Sequence, residues 1–149
     1  MKVFDDFDEC LAEYERVRPW VLNSLWYENS GMTEREVMEA IGRRKMILAT
    51  IDNAFALFSI CHSDEHVGFA TLVEDEDQFL LLHLIGGRMN QSLMDIFNAL
   101  GEIEQYAKQH NCKRISAVGR KGWKRIVEKH GFRTETHNEF ENMYIKEVY

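Results

Sequence analysis

The sequence is poor in proline and cysteine. One proline in 149 residues, together with 11% aromatic residues, is not typical of a disordered or low-complexity chain. The three cysteines stand far apart without CxxC spacing, which argues against a disulfide framework and against a thiolate zinc site. We therefore expect an ordered domain with reduced, buried thiols.

Long apolar runs are also missing. No run approaches the roughly 20 residues that a membrane-spanning helix needs. The first ten residues are acidic, whereas a signal peptide begins with positive charge. These absences predict a cytoplasmic protein that has no membrane contact and is not secreted by a signal peptide.

Basic residues are outnumbered by acidic ones. The chain has 18 Lys and Arg against 25 Asp and Glu, a formal net charge of −7 at pH 7. Because affinity for phosphate backbones depends on clustered cations, this balance disfavours nucleic acid as a partner of the chain as a whole. Residues 113–125 form a basic cluster that is a local exception.

Helical spacing dominates residues 1–45. A first helix is predicted from Asp5 to about Val17, and the Arg18-Pro19 step predicts a break before a second helix, Pro19–Tyr27. A capping box at Thr33 to Glu36 predicts a third helix that ends at Gly42. The apolar face of the first helix comprises Phe4, Phe7, Leu11 and Tyr14.

Residues 46–149 change to short strands and a crossover. Antiparallel strands are predicted at Met46–Ile51, Phe55–Cys61, Val67–Val73 and Gln78–Ile85. A long helix at 92–110 and a strand at Lys113–Val118 follow, an order that favours a parallel strand pair. A short helix at 122–130, a left-handed Gly131, and strands Phe132–Thr136 and Asn142–Val148 complete the pattern. We expect one α+β domain, 1–149, with a mixed central sheet flanked by helices.

This order of elements resembles the GCN5-related N-acetyltransferase (GNAT) fold, over roughly residues 33–148. The segment 122–132, which ends in Gly131-Phe132, is similar to the late helix of that family. More narrowly, Gly119 to Trp123 together with Leu84 to Gly87 resembles small acetyltransferase-like proteins encoded among bacteriophage structural genes. The resemblance implies a single-domain acyl-CoA N-acyltransferase fold.

The resemblance also implies acetyl-CoA as the cofactor. In the family, the pantetheine arm pairs with the strand before the long helix, and amides at the helix start hold the pyrophosphate. Unpaired N–H groups and the positive end of a helix favour phosphate on physical grounds as well. The positions so implied are Leu84, Ile85, Gly86, Gly87, Arg88, Asn90 and Ser92, with Arg120 as a further cation.

Two departures from the family pattern bear on activity. The turn after Gly86-Gly87 lacks the later glycines of the family's phosphate loop, and Val127 replaces a tyrosine that in many members protonates the departing thiolate. These departures favour a non-enzymatic protein of phage assembly or of the phage particle, located in the host cytoplasm or the virion. The alternative is an active N-acetyltransferase that transfers acetyl from acetyl-CoA to an amine, with Glu74 and His83 as its catalytic candidates.

Each candidate also has a plain structural interpretation. Gly86 and Gly87 fit a tight turn from strand to helix, Arg88 and Arg120 fit solvated loop cations, and His83 fits a packed histidine. Glu74 lies in a run of four acids typical of an exposed loop.

Two further sets of residues were weighed. His62 and His66 flank an acidic turn without a third fixed ligand, so we expect no metal. Trp123 is expected in the core. Trp20, Trp26 and Tyr27 are the predicted surface for a protein partner, which in the non-enzymatic interpretation is a phage structural protein.

Overall fold

The computed structural model describes residues 1–4, 6–27, 31–62, 78–88 and 93–148. The elements in these ranges are β1 (Lys2–Phe4), α1 (Phe7–Tyr27), α2 (Glu34–Gly42), β2 (Ile47–Ile51), β3 (Ala54–His62), β4 (Gln78–Gly87), α3 (Leu93–Gln109), β5 (Arg114–Arg120), a 3-10 helix (Lys121–Trp123), α4 (Lys124–Lys129), β6 (Arg133–Thr136) and β7 (Glu141–Glu147). Within the described residues, seven strands form one sheet in the order β1-β2-β3-β4-β5-β7-β6. The predicted mixed sheet with flanking helices is confirmed, and the predicted strand at Val67–Val73 lies outside the described residues.

By contact clustering, the chain divides into two compact units. The first comprises residues 1–58 and 83–100, and the second comprises residues 59–82 and 101–149. Each unit is described below by its own contacts. The expectation of one domain remains a prediction.

The predicted break at Arg18-Pro19 is wrong, because α1 runs without interruption from Phe7 to Tyr27 with Pro19 inside it. A proline inside a helix removes one hydrogen bond and crowds the preceding turn, at a cost of about 3 kcal/mol. Val17 and Val21, on either side of Pro19, are both fully buried in the same apolar cluster. This packing on both sides of the proline offsets the local cost and keeps the helix continuous.

The buried face of α1 also differs from the prediction. Phe4 lies in β1, an edge strand that the sequence did not predict, and Phe7 is 45% exposed. The residues that are buried follow helical spacing one register away: Cys10, Tyr14, Val17 and Val21. All three cysteines are free thiols, of which Cys10 and Cys112 are buried and Cys61 is half-buried.

The capping box of α2 is confirmed. Thr33 precedes the helix in an extended conformation, and its hydroxyl oxygen accepts the N–H of Glu36 at 3.2 Å. Glu34, in the first turn, accepts hydrogen bonds from the Arg18 guanidinium and from the Tyr14 hydroxyl, both at 2.8 Å. These donors lower the pKa of Glu34, so the contact between α1 and α2 weakens as acid protonates this carboxylate.

The strands of the first unit pair in antiparallel order. β1 joins β2 with Val3 opposite Ala49, and β2 joins β3 through the two-residue turn at Asp52-Asn53. Below them lies an apolar cluster formed by α1, α2 and the strands. Its buried members are Cys10, Tyr14, Val17, Val21, Val37, Ile41, Met46, Leu48, Phe55, Leu57 and Leu84.

The second unit contains the predicted parallel pair. β4 joins β5 in parallel register, with Leu80 opposite Ile115 and Leu82 opposite Ala117. β7 then pairs antiparallel with both β5 and β6. The left-handed conformation of Gly131, with φ of +87°, and the bond from the Phe132 N–H to the Val127 carbonyl confirm the predicted end of α4.

Candidate functional site

The candidate coenzyme residues lie on the second half of β4, where burial alternates. Leu82, Leu84 and Gly86 are buried, whereas His83, Ile85 and Gly87 are half-buried. Successive side chains of a strand point to opposite faces of the sheet. Leu84 belongs to the apolar cluster against α1 and α2, so His83 and Ile85 lie on the opposite face.

The main-chain groups of β4 alternate in the same way, but within the plane of the sheet. The N–H of Arg88, directly after β4, donates to the Asn53 carbonyl at 2.8 Å, which places the end of β4 beside the start of β3. β3 and β4 therefore run antiparallel, and Leu84 and Gly86 direct their N–H groups toward β3 as Arg88 does. Ile85 and Gly87 accordingly direct their N–H groups to the other edge of β4.

The register with β5 decides which part of that other edge is paired. The parallel ladder joins Leu80–Leu82 to Ile115–Ala117. β4 continues beyond Leu82 to Gly87. The N–H groups of Ile85 and Gly87 therefore lie on a stretch of β4 that follows the last residue in register with β5.

Gly86 has a packing role that the sequence did not reveal. A Cβ atom at this position would lie 2.3 Å from the Ser24 hydroxyl oxygen of α1 and 3.1 Å from a ring carbon of Phe55. Real Cβ atoms do not approach other atoms that closely, so any side chain here displaces Ser24 or Phe55. The glycine at 86 thus lets α1 and β3 pack closely against β4.

The turn after β4 is described only in part. Arg88 is exposed, and because its N–H bonds to Asn53, its side chain is what remains for an anionic ligand. Asn90 and Ser92 lie outside the described residues. Asp95, in the first turn of α3, accepts the Asn53 N–H at 3.1 Å and ties this helix to the turn between β2 and β3. Sequence reasoning missed this role of Asn53, although the Asp52-Asn53 turn itself was predicted.

Of the two catalytic candidates, His83 is described and Glu74 lies outside the described residues. His83 is half-buried on β4, next to the ladder with β5. Burial lowers the pKa of the His83 imidazole from its usual value of 6.5. The ring is therefore neutral at pH 7 and is able to accept a proton.

The remaining candidates of the second unit have structural partners. Arg120 is exposed, and its carbonyl accepts the Tyr144 hydroxyl at 2.6 Å. Burial raises the pKa of Tyr144, so this phenol keeps its proton. Val127 is buried, and its carbonyl accepts the N–H groups that end α4. Trp123, expected in the core, is half-buried, because the 3-10 turn places it at the edge of α4.

The predicted partner surface on α1 is divided. Trp26 is 84% exposed, whereas Trp20 packs against the apolar cluster with the Arg16 guanidinium 5.5 Å from its ring. The side chain of Tyr27 is outside the described part of the chain. An exposed tryptophan near the end of a helix is a candidate contact for a partner, and this role remains a prediction.

Metal and membrane features were sought in the described residues only. No group of three or more His, Cys, Asp or Glu side chains there is placed to hold a metal ion. His62 is half-buried at the end of β3, and His66 lies outside the described ranges. In the same part of the chain, no helix has the length and apolar character needed to cross a membrane.

Solved structures similar to this chain are acetyltransferases. An N-acetyltransferase from Staphylococcus aureus Mu50 has a TM-score of 0.64 at 13% identity, over 98% of this chain and 96% of that one. The apo form of an agmatine N-acetyltransferase variant has a TM-score of 0.64 at 10% identity, over 99% of both chains. A GNAT-family acetyltransferase from Listeria monocytogenes 4b F2365 has a TM-score of 0.57 at 15% identity, over 99% of this chain and 94% of that one.

No protein-family model matches the sequence, and a search of curated proteins finds no match. The narrower resemblance to phage-encoded proteins has no support in these comparisons. At such low identities a structural likeness establishes the fold and leaves the activity to the site. The chain has the GCN5-related N-acetyltransferase fold.

Proposed function

We propose that the chain binds acetyl-CoA and transfers its acetyl group to an amine. The observation that carries this proposal is the direction of the Ile85 and Gly87 N–H groups, which point to the edge of β4 away from β3 and beyond the ladder with β5. An extended amide-containing arm adds to such an edge as a further strand, held by main-chain hydrogen bonds. The acetyltransferases of the same fold support this choice over the assembly role.

Three side chains complete the proposed site. The exposed Arg88 supplies positive charge beside the end of β4 for a phosphate of the coenzyme. Leu84 packs into the apolar cluster and anchors β4, so that the edge is held in place for binding. Ile85 lies half-buried on the face that it shares with His83, where it shields the acetyl region from water.

Acetyl-CoA, when bound, supplies a thioester whose C–S bond breaks as the amine forms the new C–N bond. His83, neutral at pH 7, accepts the proton that the amine nitrogen releases. Val127 has no proton to donate to the sulfur. A thiol has a pKa of about 8.5, so the thiolate leaves near neutral pH without a dedicated acid.

A second candidate function follows from the same residue. Because Val127 is buried and its carbonyl holds the end of α4, this position supplies no general acid. A protein that retains the coenzyme without turnover fits that observation. Release of free thiol in the presence of a panel of amines distinguishes this regulatory binding module from the acetyltransferase.

Thermal unfolding with and without acetyl-CoA tests the shared requirement of both functions. At 100 times its dissociation constant, a ligand of the folded state stabilises it by about 2.7 kcal/mol. For a chain of this size, that corresponds to a rise in Tm of roughly 5–11 °C. Pantetheine alone should give a smaller rise, because it lacks the phosphates that Arg88 contacts. An unchanged Tm at millimolar acetyl-CoA would remove both functions.

A further inference from the structure

The charge of the chain is concentrated at one place. Residues 120–129 contain five Lys or Arg and one Glu, a net charge of +4. The other 139 residues contain 13 basic and 24 acidic side chains, a net charge of −11. A segment of the second unit thus carries a charge opposite to that of the rest of the protein.

The fold arranges these cations along one side of a helical segment. Arg120 ends β5, and the 3-10 helix and α4 follow without interruption to Lys129. Lys121, Arg125 and Lys129 are spaced four residues apart, so they follow one another along one face over about 12 Å. The opposite side carries Trp123, Ile126 and Val127, which are half-buried or buried. We call Lys121, Arg125 and Lys129 the basic face.

The basic face is open to a ligand. All three side chains are exposed, and none has an ion pair with a carboxylate in the part of the chain that the structure describes. The nearby acid, Glu128, lies 3.8 Å from Lys124 and accepts the Thr134 hydroxyl at 3.1 Å. The positive charge of the basic face is therefore not neutralised by this acid.

We propose that the basic face binds the phosphate backbone of a single-stranded nucleic acid. A row of three cations over about 12 Å matches a ligand that presents several phosphates in succession, whereas a lone phosphate engages one or two of them. Trp123, half-buried at the start of the same segment, is placed for stacking with a base. The acidic remainder of the chain limits contact to a short strand, because a long duplex meets repulsion beyond the basic face.

A membrane surface fits this face less well. A helix that lies in a membrane interface inserts exposed apolar residues between the lipids. The apolar residues of α4, Ile126 and Val127, are half-buried and buried instead. The proposal is independent of the proposed acetyl transfer and stands or falls by its own assay.

Binding of a fluorescently labelled 12-nucleotide oligouridylate, followed by anisotropy at 50 mM salt, tests the proposal. The double variant Lys121→Glu, Arg125→Glu should lose at least ten-fold in affinity. For the unaltered protein, the slope of log K against log salt should be about −2, since each contacted phosphate of a single strand contributes about −0.7. The matched control is Arg35→Glu, Arg43→Glu on and after α2, which changes the net charge equally and should alter affinity less than three-fold.

Four outcomes overturn the proposal. They are the absence of oligouridylate binding by the unaltered protein, equal losses in the two double variants, tighter binding of a 12-base-pair duplex than of the single strand, and a loss of the acetyl-CoA melting shift in Lys121→Glu, Arg125→Glu with oligouridylate affinity unchanged. The last result would assign these cations to the coenzyme phosphates. Circular dichroism melts of both variants establish that each remains folded.

Discussion

Gly86→Ala should lower the free energy of unfolding by about 1–3 kcal/mol, although it adds a single methyl group. The reason is the close packing at this position, where the new Cβ would lie 2.3 Å from the Ser24 hydroxyl oxygen and 3.1 Å from the Phe55 ring. To relieve these contacts, α1 or β3 must move away from β4. Urea unfolding of the purified variant measures the loss.

A double-mutant cycle tests the cause of that loss. Ser24→Ala by itself should change stability by less than about 0.5 kcal/mol, because the position is exposed enough on α1 to lose a hydroxyl without a cavity. Combined with Gly86→Ala, it should restore a large part of the stability, since it removes the atom that lies nearest to the new methyl group. Strictly additive losses in the double variant would show that the contact with Ser24 is not the source of the effect.

Gly87→Pro should abolish the stabilisation by acetyl-CoA, a loss of about 2.7 kcal/mol at a concentration 100 times the dissociation constant of the unaltered protein. Proline has no N–H, and the N–H of Gly87 points to the edge of β4 where we propose that the pantetheine arm pairs. The fold should survive, because this N–H points away from β3 and follows the ladder with β5. Melting curves with and without the coenzyme measure both effects.

Gly87→Ala is the matched control for this variant. Gly87 does not have a positive φ, so alanine is compatible with its backbone, and the N–H is retained. The control should therefore keep most of the melting shift. A Gly87→Pro protein that still shows the full shift with acetyl-CoA would exclude this amide from coenzyme binding.

The two adjacent glycines thus have different physical roles. Gly86 is explained by the close approach of Ser24 and Phe55, which needs no ligand. Gly87, whose N–H points the other way, is the glycine tied to the proposed coenzyme. A sequence in which Gly-Gly ends a strand shows neither role, because both depend on which neighbouring strand or helix each residue meets.

Much of the fold was predictable because it depends on local signals. The capping box at Thr33, the left-handed Gly131 and the apolar stripe of α3 each act within a few residues of chain. The fold errors arose where distant contacts override local preference. Pro19 predicts a break, but the burial of Val17 and Val21 on either side of it keeps α1 continuous, and β1 forms only because β2 offers it a partner.

The candidate site was predictable in position but not in detail. The strand before the long helix was identified from the order of elements, whereas the alternation of its N–H groups required the bond from Arg88 to Asn53. The limit of the parallel ladder at Leu82 is likewise a matter of register with β5. Neither bond partners nor register can be read from residue types alone.

Amide hydrogen exchange on β4, measured residue by residue with and without acetyl-CoA, tests the central claim most directly. If the coenzyme arm pairs with the edge of β4 away from β3, saturating acetyl-CoA should slow exchange at Ile85 and Gly87 more than at Leu84 and Gly86, whose N–H groups already point to β3. Equal slowing at all four amides, or unchanged exchange at Ile85 and Gly87, would contradict the proposed mode of binding.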